Sequence, residues 1–187
     1  MSLNFSDGTS QSTATGVLEK IWVPCDGRSI TTKSGNTMSI SNITGLQQFA
    51  GTSYYTCGGS QITYTPPTGT TLVIYEYAYL QSWNDSHGIC HYKFNNDGVV
   101  QSNSYYSISA NAQLENLVHL KFPINIGGST NNDTGQLASW GSSRVLKLEG
   151  RRYGSSNEGL IHATYYTDGG GSRTFHRPCV GVTAVAG

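Results

Sequence analysis

From residue 61 to the end, apolar and polar residues alternate with the period of two that marks β-strands. The longest such run is TTLVIYEYAYLQSW. It places Val73, Tyr75, Tyr77 and Tyr79 on one face and Leu72, Ile74, Glu76, Ala78 and Leu80 on the other. Both faces are largely apolar, which predicts a central strand or one at a subunit interface. In ENLVHLKFPINI, Val118, Leu120 and Phe122 alternate with Leu117, His119 and Lys121, a half-buried strand whose regular pairing Pro123 either ends or marks as an edge. CHYKF and VV flank Asn95-Asn96-Asp97-Gly98, a hairpin signal. QITYT stops at the turn Pro66-Pro67-Thr68-Gly69. SYYSIS, QLASW, SRVLKLEGRRY, GLIHATYYT and TFHRPCVGVTAVAG supply further strands, divided by Gly- and Asn-rich loops. No segment reads as a long amphipathic helix, and GLQQFAG offers a single helical turn at most.

The pattern divides the chain into three parts. Residues 1–16 are small and polar, the profile of a flexible, extended N-terminal arm. Residues 17–60 read as a small β segment: VLEKIWV, the PCDGRS turn, and a hairpin at Ser34-Gly35-Asn36. Residues 61–187 carry short strands at the spacing of a sandwich, with no internal repeat. The predicted fold is all-β: an antiparallel β-sandwich of the jelly-roll kind.

Composition adds a surface to this core. Ser, Thr, Asn and Gly make up roughly two-fifths of the 187 residues, and charged residues only 12%. Aromatics reach 11%, with twelve Tyr, which separates the chain from disordered sequences of similar polarity. The formal net charge is zero. Such a surface does not attract a phosphate backbone and favours self-association, so no nucleic acid is expected as partner. No apolar run approaches the ~20 residues of a membrane span, and the N-terminus lacks the pattern of a secretory signal. Free thiols are therefore expected at Cys25, Cys57, Cys90 and Cys179, whose spacing also fits no zinc motif.

Candidate chemistry is sparse. The carboxylates are scattered through turn sequences, no GxSxG elbow is present, and His87, His91, His119, His162 and His176 stand singly, so no catalytic residue is assigned. Gly58-Gly59 and Gly169-Gly170-Gly171 lack the context of a phosphate loop, and no cofactor is expected. The NNDG and NNDTG turns, at 95–98 and 131–135, hold oxygen ligands without the full spacing of a calcium loop, so no metal is assigned. Two surfaces remain. Tyr75, Tyr77 and Tyr79 are the expected oligomer interface. Trp83, Asn84 and Asp85 form the loop best suited to contact a glycan, although Trp83 reads first as a core plug buried under that loop and only second as a sugar platform.

PCDGRSITTKSGN resembles the CDG-containing segment of phage tail collar and fibre proteins, in which a CDG turn precedes a short strand. TPPTGTTLVIYEY, LKFPINIGG and SRVLKLEGRRYGSSNEGLIHATYYTDG resemble structural proteins of marine tailed phages that carry this segment before a β-rich domain. The resemblance runs through most of residues 17–187. It implies a virion component, assembled in the host cytoplasm, with a trimeric β-sandwich of the C1q and tumour-necrosis-factor type. A compact chain without a repetitive shaft suits a capsid decoration or knob subunit. Its expected partners are copies of itself and virion proteins such as the major capsid protein or a tail component. The rival expectation is a receptor- or glycan-binding module of a tail fibre or adhesin.

Overall fold

The computed structural model describes residues 3–4, 10–11, 16–83, 88–110, 115–154, 159–164 and 174–187. Two antiparallel sheets are packed face to face. In the first, the strands Gly16–Pro24, Cys179–Ala186, Leu72–Ser82 and Glu115–Asn125 lie side by side in that order. Where Cys179–Ala186 ends, Leu160–Ile161 continues along the same edge of Leu72–Ser82 and carries Gln47–Gln48 outside it. In the second sheet, Gly88–Asn96 and Arg144–Arg152 are central. Val99–Val100 and Tyr106–Ala110 flank them on one side, Tyr55–Thr56 and Ile62–Tyr64 on the other. The chain passes between the sheets after Gln48, Tyr64, Ser82, Ala110, Asn125 and Arg152, the winding of a jelly roll.

Local chemistry explains the turns. Asp97 and Gly98 both have positive φ, 56° and 85°, the two-residue turn whose twist matches its flanking strands. The Gly98 N–H is held by Asn95 Oδ1 at 2.8 Å. Ser34-Gly35-Asn36 closes the hairpin of Ser29–Thr31 with Thr37–Ser39. Pro123 lies within Glu115–Asn125, an edge strand among the described residues, where its missing N–H costs no ladder bond.

Several expectations are corrected. Gly16–Pro24, read with the 17–60 unit, is paired along its length with the last strand and belongs to the sandwich. GLQQFAG contributes the strand Gln47–Gln48 rather than a helical turn, because Leu160–Ile161 offers it a free edge. QLASW forms no strand. Its bridge pairings are the isolated ones of Ile126 with Leu137 and Asn131 with Gln136, which fold the 126–137 loop back on itself, while Trp140 packs edge-on against Tyr64. GLIHATYYT breaks at His162, whose φ of 68° ends Leu160–Ile161 and starts Ala163–Thr164. Of the predicted arm, Leu3–Asn4 and Ser10–Gln11 are described, as a two-stranded pair.

The core is aromatic. Tyr75 meets Phe94 across the sheets with ring centroids 5.0 Å apart, and Phe94 stacks on Phe122 at 4.6 Å. Tyr79 packs on Tyr92 at 5.7 Å, and Tyr92 on Tyr106 at 5.0 Å. Such pairs add to the burial of large apolar rings.

Candidate functional site

The Leu72–Ser82 strand alternates as predicted, but its faces are the reverse of the expectation. Tyr75, Tyr77 and Tyr79 are fully buried within the single chain and are not an oligomer interface. The physical reason lies in their hydroxyls. Tyr75 donates to the Ser60 carbonyl at 2.5 Å and Tyr77 to the Gly58 carbonyl at 2.6 Å, while the Tyr79 hydroxyl lies 3.3 Å from that of Tyr106. The 58–60 segment thus supplies acceptors that make tyrosine a core residue here.

The opposite face, with Leu72, Ile74, Ala78 and Leu80, is only half-buried and points away from the second sheet. Register extends this surface across the neighbouring strands. His119 lies beside Ala78, Leu117 beside Leu80, and Pro123 beside Ile74. Leu117 is 69% exposed. Trp22 and His119 sit on the two outer strands, yet their rings are 5.1 Å apart. Small residues on the strands between, Gly181 and Ala78, leave room for that approach. A Cβ at Gly181 would lie 2.0 Å from the Ile21 carbonyl oxygen, so only glycine fits this crossing. Glu76 and Lys121 are paired at 2.7 Å within the same face.

Trp83 is fully buried, and a Cβ at Gly88 would fall 1.5 Å from its ring. It presents no face to a sugar, which agrees with the reading of Trp83 as a buried plug and goes against the alternative of a glycan contact. Asn84 and Asp85 lie outside the described residues.

The Cys-Asp-Gly-Arg turn is a knuckle tied to the sandwich. Arg28 binds both oxygens of Asp26, and this hydrogen-bonded pairing holds the Asp26 carboxyl down to about 2. The Cys25 thiol reaches the Gly59 carbonyl at 3.3 Å. Burial, and after it the nearby Cys179 thiol, push Cys25 up to about 12, so it is no nucleophile at neutral pH. Arg177 clamps the knuckle from the other side, donating to the Cys25 carbonyl at 2.8 Å and Asn42 Oδ1 at 3.1 Å. No disulfide joins any of the four cysteines.

His162 is fully buried against Tyr79, and burial lowers it to about 4. Among the described residues no group of three or more His, Cys, Asp or Glu side chains could hold a metal ion. The two Asn-rich turns do converge: Asn96, Asn131 and Asn132 line one small cavity of about 30 Å³. Arg144 lines it too, a poor neighbour for a cation. A larger polar cleft of about 620 Å³ lies between the 33–36 turn, the 65–70 turn and Trp140.

These features define a class: an antiparallel β-sandwich with an aromatic core, an apolar outer sheet face and no assembled catalytic group among the described residues. No family model and no curated protein matches the chain. Among solved structures it is similar to the CBM22-1 xylan-binding domain of Paenibacillus barcinonensis Xyn10C. That match has 12% identity over 95% of this chain and 99% of that one, with a TM-score of 0.28, too slight to carry an argument about function.

Proposed function

We propose that the chain is a non-enzymatic structural subunit of a virus particle that works as a homotrimer, a capsid decoration or knob protein in contact with other virion proteins. The resemblance of the PCDGRSITTKSGN segment to phage collar and fibre proteins supports the setting. The observation that carries assembly is the half-buried to exposed apolar face of the first sheet, turned away from the second sheet and formed among the described residues by Leu72, Ile74, Ala78, Leu80, Leu117 and Trp22. Four strands about 4.8 Å apart and some 30 Å long give on the order of 600 Å² of flat surface. A stable interface takes about 800 Å² from each partner, and Glu115–Asn125, an edge strand among the described residues, adjoins this face. The zero net charge leaves little repulsion between copies.

Light scattering on the purified chain tests the proposal. A trimer has three times the 20.1 kDa of the subunit, about 60 kDa. Leu117→Asp places a charge on the exposed face without entering the core, and the expected result is a folded 20.1 kDa monomer. A wild-type chain that stays monomeric at micromolar concentration, or a Leu117→Asp variant that stays trimeric, overturns the assignment of this face.

A further inference from the structure

The outer face of the second sheet has a different character from the apolar face of the first. Tyr54 arrives from the loop before Tyr55–Thr56 at one edge of the sheet, and Tyr105 from the other edge, just before Tyr106–Ala110. Their rings meet edge to face, 6.5 Å apart, over the middle of the sheet. Beneath Tyr54 lie two cations: Lys93 Nζ is 4.2 Å and the Arg151 guanidinium 5.3 Å from the ring centroid. Arg151 is paired in register with His91, and the His91 ring packs at 5.6 Å on Tyr153. Three cations gather here, Lys93, Lys147 and Arg151. The carboxylate of Glu149 binds the two lysines, at 3.4 and 2.9 Å. Among the described residues Arg151 pairs with no carboxylate; its Nη1 donates to the Arg152 carbonyl. Tyr105 and Tyr153 are 55% and 59% exposed on either side.

We infer that this face is a binding site for an acidic saccharide, a sugar chain bearing carboxylates. The guanidinium of Arg151 is held from one side by the Tyr54 ring, which orients its planar fork to receive a carboxylate through two parallel N–H donors. Tyr153 and Tyr105 flank it as exposed rings on which the C–H faces of neighbouring sugar units pack. A lattice of half-buried, cross-paired charges is rigid, so few side chains lose freedom on binding. The geometry disfavours single-stranded nucleic acid. The rings are inclined to one another, at 74° for Tyr54 with Tyr105 and 59° for His91 with Tyr153, and offer no parallel row for successive bases. Three cations offset by a carboxylate, on a chain of zero net charge, also make a poor track for a phosphate backbone. The site is on the sheet opposite the assembly face and stands independently of it.

Affinity electrophoresis of the full chain through gels containing polygalacturonate tests the inference. Dextran, oligo-dT and polyglutamate serve as comparators. The expected result is retardation by polygalacturonate alone, weakening as salt is raised. Arg151→Gln and Tyr153→Ala, both at positions outside the core, are each expected to weaken binding at least tenfold with an unchanged circular dichroism spectrum. Leu117→Asp, on the other sheet, is expected to retain binding per subunit, which separates this site from the assembly face. Absence of retardation by polygalacturonate overturns the inference. So does equal or stronger retardation by dextran, oligo-dT or polyglutamate, or wild-type binding in both variants.

Discussion

Replacing Tyr77 tests whether the tyrosine face belongs to the core. Tyr77 is fully buried, its ring stacks on Tyr79 at 5.2 Å, and its hydroxyl donates to the Gly58 carbonyl at 2.6 Å. Tyr77→Phe keeps the ring and removes the donor. The lost hydrogen bond is worth about 1 kcal/mol, and the Gly58 carbonyl left without its partner raises the cost to about 1–2 kcal/mol. With a urea dependence of about 2 kcal/mol per molar, the unfolding midpoint falls by about 0.5–1 M at unchanged slope. Tyr77→Asp is far more severe. Loss of a buried ring costs about 3–5 kcal/mol, and burying an unpaired carboxylate adds several more. Together these approach or exceed the roughly 5–15 kcal/mol by which a domain is stable, so the chain is expected not to fold. Urea titration followed by circular dichroism measures the first variant, and soluble yield with light scattering the second. A Tyr77→Asp protein that is folded and merely dissociated would refute the core assignment and restore these tyrosines to an interface. A Tyr77→Phe midpoint equal to wild type would refute the role of the hydroxyl.

Two further outcomes follow from the packing. Gly181→Ala drives a methyl into the Ile21 carbonyl and must displace Gly16–Pro24 from its partner; a loss of about 3 kcal/mol or more is expected by urea titration. His162, lowered from 6.5 to about 4 by burial, is neutral when folded, while the unfolded chain takes up the proton. Its contribution to stability is therefore complete above pH 6.5 and declines as pH falls from 6.5 towards 4, by roughly 3 kcal/mol in all. His162→Asn, which tolerates the positive φ, should flatten that decline in urea midpoints measured between pH 7 and 4. The Asp26 carboxyl titrates lower, towards about 2, and does not share this window.

The sequence alone determined the kind of structure. Period-two alternation in 72–80 and 117–122 makes strands, and Asp97-Gly98 and Ser34-Gly35-Asn36 are turns wherever they occur, because their backbone preferences are local. It also sorted tyrosines from aliphatics on Leu72–Ser82. What it lacked was a sign for the two faces, since both are apolar and a period of two is the same whichever side faces inward. Only the tertiary structure decided that, by bringing the carbonyls of Gly58 and Ser60 within reach of Tyr77 and Tyr75 and setting Phe94 against their rings. In the sequence Trp83 fits either a buried plug or a sugar platform, and its burial against Gly88 decides for the first. The cationic aromatic surface is likewise invisible in order along the chain. Tyr54, Lys93, Tyr105 and Arg151 come from four separate segments, and they become neighbours only because antiparallel pairing places Gly88–Asn96 beside Arg144–Arg152 and flanks both with the strands that carry the tyrosines.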